Sequence, residues 1–140
     1  MVPREMKSKR SNVRDSALPQ QAPAWPANDV ALRYVQRVED LFQKKAEERV
    51  TLAEAAACAG CSVRALQLAF RRSRGMTPMA ALRQIRLEAA RMALADGSTS
   101  IGAIAAAYRF TNPGRFARLF KEVFGQSPSE LRRVQDRPTG

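Results

Sequence analysis

Arg64, Gln67, Leu68 and Arg71 fall at steps of three and four residues, the spacing that puts side chains on one face of a helix. Fifty positions further on, Gly114, Ala117, Arg118 and Lys121 repeat it. An arginine on such a face can donate two hydrogen bonds to guanine O6 and N7. A glutamine can bridge adenine N6 and N7, and an alanine or leucine can meet a thymine methyl. An α-helix fits the major groove of B-DNA with its N-terminal residues nearest the base edges. Arg64, Gln67 and Arg118 are therefore candidate base readers, while Arg71, Arg72 and Lys121, toward the helix ends, suit phosphates. Gly114 and Ala117 are too short to reach bases by hydrogen bond. The first face should carry more of the specificity and the second more of the backbone affinity. An outward Arg or Gln is ordinarily just hydrated surface; recurrence at matching positions sets these apart.

Other chemistries are poorly served. The chain has no histidine, which removes Ser/His and Cys/His catalytic sets and most zinc sites. No Gly-rich phosphate cradle occurs. Cys58 and Cys61 form a lone C-x-x-C without a second ligand pair. The simplest reading makes Cys61 a small apolar turn residue and Cys58 a surface position; a redox switch requires both thiols exposed. Glu39-Asp40 and Glu47-Glu48 sit on mostly outward helix positions and read as solvated acids. No enzyme, metal site or cofactor is expected.

The charge balance agrees. Across 140 residues, 24 Lys and Arg oppose 13 Asp and Glu, a net charge of +11. Such an excess favours a polyanion, nucleic acid before an anionic membrane. No stretch approaches the length of an apolar spanning helix, the N-terminus has no apolar signal core, and two cysteines make no extracellular disulfide framework. A cytoplasmic, nucleoid-associated protein with no membrane role is expected.

The elements that must position the two faces can be read from caps and breakers. Residues 1–27 read as a disordered basic and Pro-rich tail or linker containing Trp25. A first helix is expected from Asn28 as N-cap to about Glu48, with Val35, Val38, Leu41 and Phe42 as its apolar stripe. Thr51 and Glu54 form a capping box for a second helix, which Gly60 ends. Ser62 caps a third, running to about Arg72 and burying Leu66 and Phe70. Thr77-Pro78 opens a connector helix with the stripe Leu82, Ile85, Leu87, Ala89 and Met92, ended by Gly97. Ser100 caps a fifth helix. After the turn Tyr108-Arg109-Phe110, Asn112-Pro113 opens a sixth that buries Phe116, Phe120 and Phe124. Ser127 and Glu130 box a short seventh, and Asp136 to Gly140 should fray.

Two of these stretches are copies. Phe70, Gly75 and Thr77-Pro78 align with Phe120, Gly125 and Ser127-Pro128; Leu52, Ala56 and Ser62 align with Ile101, Ala105 and Thr111. The expected fold is all-α: seven helices forming two helix-turn-helix subdomains, 28–76 and 97–135, joined by a connector, 77–96, within one DNA-binding domain over 28–140. A connector of about 18 residues spans about 27 Å, against about 34 Å between successive major-groove segments on one face of DNA. It can place both reading helices in adjacent segments, with DNA bending to make up any shortfall. The rival reading is a helical protein–protein module whose basic surface is incidental.

The segment Phe110 to Arg132, FTNPGRFARLFKEVFGQSPSELR, together with LAEAAACAGCSVRALQLAFRRSRGMTP and RLEAARMAL, resembles the AraC/XylS-type transcriptional regulators over roughly residues 30–133. The resemblance implies a regulator of transcription, usually an activator that contacts RNA polymerase, reading an asymmetric duplex site. It puts Arg64, Gln67 and Leu68 on the first base-reading helix and Pro113, Gly114, Ala117 and Arg118 on the second. Ser62, Arg71, Arg72, Arg115 and Lys121 form the expected phosphate set. Two departures stand out. Arg109 occupies a place where the family commonly has Gly, so it should strain or reshape the second turn. Leu68 stands where the family often has Arg. Most relatives carry a sensing or dimerisation domain in front, and the Pro/Gln-rich start favours the C-terminal piece of such a regulator. The domain would act as a monomer on DNA, or as a dimer through that absent domain.

Overall fold

Side-chain caps decide where the helices begin. Thr51 Oγ1 accepts from Glu54 N at 3.1 Å while Glu54 Oε1 accepts from Thr51 N at 3.2 Å. Ser62, Thr77, Ser100 and Asn112 each accept from the backbone N–H three residues on, at 3.0 to 3.2 Å. Ser127 and Glu130 close a second box, at 3.1 and 2.7 Å. Each cap satisfies an otherwise orphaned donor and contributes about 1 kcal/mol.

The computed structural model describes residues 28–135. The expectations for 1–27, Trp25 included, and for Asp136–Gly140 lie outside these residues. Among the described residues are seven helices and no strand: α1 Asn28–Lys44, α2 Leu52–Ala59, α3 Val63–Arg74, α4 Pro78–Asp96, α5 Ile101–Ala107, α6 Pro113–Phe124 and α7 Pro128–Gln135.

The apolar residues form two cores that share α4. The first gathers Val35, Val38 and Phe42 of α1, Ala55, Ala56 and Ala59 of α2, and Leu66, Ala69 and Phe70 of α3, closed by Ala81 and Leu82 at the start of α4. The second gathers Leu87, Ala90 and Leu94 from the rest of α4, Ile104 and Ala105 of α5, and Phe116 and Phe120 of α6, with Leu131 of α7 against it. The latter part of α4 thus plays for the second repeat the part α1 plays for the first, and α7 stands where α4 begins.

Four sequence expectations need correction. α1 ends at Lys44, before Glu48, because the chain turns to bury Ala46 and Val50. Arg86 of α4 holds that turn, donating to Ala46 O at 3.0 Å and Glu48 O at 2.7 Å. α3 continues to Arg74 until Gly75 ends it at φ 70°. Met92 is 71% exposed, since α4 changes its buried phase between the cores to Leu87, Ala90 and Leu94. Phe124 is half-buried, its ring lying beneath the Arg91 guanidinium at 4.8 Å.

The two helix-turn-helix turns are built alike from different residues. In the first, Gly60 has φ 79° and Cys61 N donates to Ala56 O at 3.1 Å. In the second, Arg109 has φ 71° and Phe110 N donates to Ala105 O at 2.9 Å. The left-handed conformation costs a side-chain-bearing residue roughly 1–2 kcal/mol. Arg109 leaves the turn's shape intact and carries the strain in its own backbone.

Candidate nucleic-acid interface

α3 is held from behind. Leu66, Ala69 and Phe70 are buried, and Arg74 grips Glu39 of α1 through two bonds, Nε to Oε2 at 2.7 Å and Nη2 to Oε1 at 2.9 Å. That bidentate bond raises the Arg74 pKa above its ordinary value. The opposite face is left to solvent. Arg64, Gln67 and Arg71 are exposed and Leu68 is half-buried, rather than the exposed apolar residue a helical wheel suggests. With Thr77 these four line a shallow groove of about 280 Å³. Leu68 gives the groove an apolar strip between cationic and amide groups. Ser62 spends its oxygen on the cap to Ala65 N, and its hydroxyl proton remains available at the mouth of the helix.

α6 follows the same plan. Phe116 and Phe120 are buried, and rings 110, 116, 120 and 124 form a chain with successive centroids 5.0, 5.7 and 4.6 Å apart. Pro113, Gly114, Arg115, Arg118 and Lys121 are exposed and Ala117 is half-buried. Lys121 Nζ lies 3.9 Å from Glu130, with both side chains largely in solvent, so the pair is weak. The side chains of Arg64, Gln67, Arg71, Arg115 and Arg118 make no hydrogen bond or ion pair among the described residues. Arg72 is exposed on the flank of α3.

The start of α4 lies between the two surfaces. Thr77, its N-cap, borders the α3 groove. Met79, two residues on, borders a second cavity of about 200 Å³ between α4 and the α5–α6 turn, which Arg83, Arg86, Arg109 and Arg115 also line. Arg109 and Arg115 further line a cavity of about 200 Å³ at the first turn of α6. The sequence pattern missed Arg83 here and weighed Arg109 only as a turn residue. It also missed three arginines that hold the scaffold. Arg37 donates to Ala59 O at 3.3 Å, Arg86 clasps the end of α1, and Arg132 donates to Leu94 O at 3.1 Å and to Thr99 O at the end of α4. A charged residue beside an apolar stripe, as Arg86 is between Ile85 and Leu87, was the available signal.

Cys58 is exposed and Cys61 half-buried against the first core, where burial pushes its thiol pKa up. That suits a packing residue better than a reactive pair. Among the described residues, no cluster of His, Cys, Asp and Glu could hold a metal ion, and no helix is long and apolar enough to cross a membrane.

Two basic helix faces behind short turns, on repeated cores, define a tandem helix-turn-helix protein. A family model described as a helix-turn-helix domain matches residues 55–134. The chain is 43% identical over 94 residues to the probable thc operon regulatory protein of Rhodococcus erythropolis, covering 65% of this chain and 28% of that one. It is 37% identical over 106 residues to the transcriptional activator NphR of a Rhodococcus species, covering 76% and 31%. Among solved structures, a probable AraC family transcriptional regulator from Rhodopseudomonas palustris superposes with a TM-score of 0.69 at 36% identity, covering 75% of this chain and 98% of that one. The chain belongs to the AraC family of helix-turn-helix, DNA-binding transcription regulators. It spans about a third of the length of the curated relatives it matches.

Proposed function

We propose that the chain reads a specific duplex of about 20 bp, with α3 and α6 in successive major-groove segments on one face of the DNA. The observation that carries this is the α3 groove: Arg64, Gln67 and Arg71 stand around Leu68 with no partner among the described residues. Because the helix itself is braced by Phe70 and by the Arg74–Glu39 pair, the ordering cost of meeting base edges is confined to the side chains. In this reading Arg64 and Gln67 bond purine edges and Leu68 meets a methyl group. Pro113, Gly114 and Ala117 let α6 sit close in its groove while Arg118 reads a base. Ser62, Arg71, Arg72, Arg115 and Lys121 bond phosphates. α4, 19 residues and about 28 Å long, spaces the two helices, between subdomains 28–76 and 97–135.

Relatives named as activators support activation as the outcome, with RNA polymerase as protein partner and the cytoplasm as workplace. The domain binds as a monomer, or as a dimer through a further domain. The test is selection of duplexes from a random pool, followed by titration against salt. We expect nanomolar to micromolar affinity for the selected duplex, a clear preference over random DNA, and a steep fall with salt. Equal affinity for selected and random duplexes would overturn the sequence-reading assignment.

A further inference from the structure

At the second turn a charged side chain sits on a backbone that suits glycine. Arg109 holds φ 71°, where its counterpart Gly60 holds φ 79° with no side chain. The turn is held by its backbone, Arg109 N donating to Ala106 O at 3.0 Å and Phe110 N to Ala105 O at 2.9 Å, but the Arg109 guanidinium adds no hydrogen bond or ion pair among the described residues. Strain that local packing does not repay points to a role outside the fold. The surroundings show which role. Arg109 lines two adjoining cavities, one at the first turn of α6 and one against α4, and shares both with Arg115. Arg83 of α4 lines the second and also makes no hydrogen bond or ion pair among the described residues. Arg86 is there too, but its donors are taken by Ala46 O and Glu48 O. Burial first, and then the charge of Arg109, push the Arg86 pKa down, so the two guanidinium charges feel each other across the cavity. At the first turn the matching residue, Gly60, carries no side chain, and the arginine beside it, Arg37, is spent on Ala59 O.

We propose that Arg83, Arg109 and Arg115 form a phosphate clamp, which grips the DNA backbone where the connector meets the second recognition helix. The proposal rests on the duplex-binding reading and deepens it. The clamp holds one or two phosphates between the groove segments served by α3 and α6, and fixes the depth and register of α6. In its first turn that helix has only Arg115 with which to do so, because Pro113 and Gly114 cannot reach far. Arginine suits the task, since its planar fork meets phosphate oxygens bidentately. Affinity supplied this way is independent of base sequence.

The experiment compares the 140-residue chain with R109N, R109K and R109G, on a duplex selected by the wild type and on a random duplex of equal length. Asn and Gly both accept the left-handed backbone, so the charge is removed without breaking the turn. R109N and R109G should bind both duplexes about three- to eightfold more weakly at 0.1 M salt, with the log–log salt slope smaller by about 0.9. R109K should retain most of the slope. R109G should also resist urea better than wild type, which separates lost contact from lost folding. R83A/R115A should lower the slope by about two such steps. Unchanged affinity and slope in R109N and R109G would overturn the clamp, and would leave base reading by α3 intact. Saturable binding of inorganic phosphate abolished by R109N, with duplex affinity and salt slope unchanged by R109N, would reassign the site to a free anion and overturn it equally. Failure of the duplex-binding reading looks different: wild type itself would then show no preference for any duplex.

Discussion

In the first repeat α3 lies directly against α1, the most closely packed helix pair in the molecule. Their counterparts in the second, α6 and α4, scarcely approach at the backbone level. The difference follows from residue size. The first core is rich in alanine, with Ala31, Ala55, Ala56, Ala59, Ala69 and Ala81 buried and a single ring pair, Phe42 and Phe70, at 6.4 Å. The second fills a wider gap with a chain of four phenylalanine rings. The reading faces differ in the opposite sense: long polar side chains on the tightly held α3, short ones on the ring-spaced α6. On the proposed reading, the helix assigned base discrimination is the one packed closely against its backing. The helix assigned mainly backbone contact stands off from α4 and carries Arg115, Arg118 and Lys121 beside its short residues.

The largest effects should come from the two equivalent core rings. Phe70→Ala and Phe120→Ala each remove a fully buried phenyl group, at about 3–5 kcal/mol. Phe70 has one ring neighbour, Phe42, itself fully buried, in a core rich in alanines too short to fill the space, so its loss should fall at the upper end. Phe120 sits between Phe116 and the half-buried Phe124, which can tilt inward, so its loss should fall lower. Urea unfolding followed by circular dichroism decides. If Phe120→Ala proves the costlier change, the second core is not the softer one.

Next come the arginines at the two helix ends. Arg86 uses Nε and Nη2 on the carbonyls ending α1. Arg132 uses both Nη atoms at the end of α4, but its Nε is buried with no partner among the described residues. Arg86→Ala should cost about 1–3 kcal/mol, since it orphans two carbonyls and removes a charged donor. Arg132→Ala should cost less, because the native residue already carries an unsatisfied group. Equal losses would mean that the two ends are braced alike.

The two faces can be separated on DNA. Arg64→Ala and Gln67→Ala should each lose about 1–3 kcal/mol on the selected duplex and relax preference at particular base pairs. Lys121→Ala should weaken all duplexes alike. Arg118→Ala should lie between. If Arg64→Ala weakened every sequence equally, α3 would not be the base-reading helix.

Much of this was legible because it is local. Caps, terminal glycines and first-turn prolines are decided within four residues, so the helix starts at Thr51, Ser62, Thr77, Ser100, Asn112 and Ser127 agree with the structure. The outward faces followed from phase, since Leu66 and Phe70, or Phe116 and Phe120, fix where the opposite side must lie. What failed depends on distant contacts. α1 stops early because the chain turns to bury Ala46 and Val50, and an arginine some 40 residues away holds the carbonyls of that turn. The stripe of α4 was misphased at Met92 because one helix serves two cores in turn, and no single stripe describes it. Strain at Arg109 was expected from the glycine common at that place in the family, and the residue does hold φ 71°. Its cationic neighbours were not, because α4 brings Arg83 there only in three dimensions.

The smallest effect distinguishes the starts of α4 and α7, which are equivalent by repeat. Thr77-Pro78-Met79-Ala80 caps with one side chain; Ser127-Pro128-Ser129-Glu130 closes a reciprocal box. The bond from Ser127 N, and then the charge of Lys121, hold the Glu130 carboxyl below its ordinary value of 4.5. A carboxyl depressed in the folded state adds stability that is fully present above the unfolded pKa and is lost as pH falls through the folded one. Glu130→Gln keeps an acceptor for Ser127 N but not the charge. Its urea midpoint should therefore lie slightly below that of wild type at neutral pH, with a gap that closes as pH drops below about 4.5. A gap that stayed constant with pH would assign the box to geometry alone. Its absence at every pH would show that the second repeat gains nothing from the acid that the first repeat lacks at Ala80.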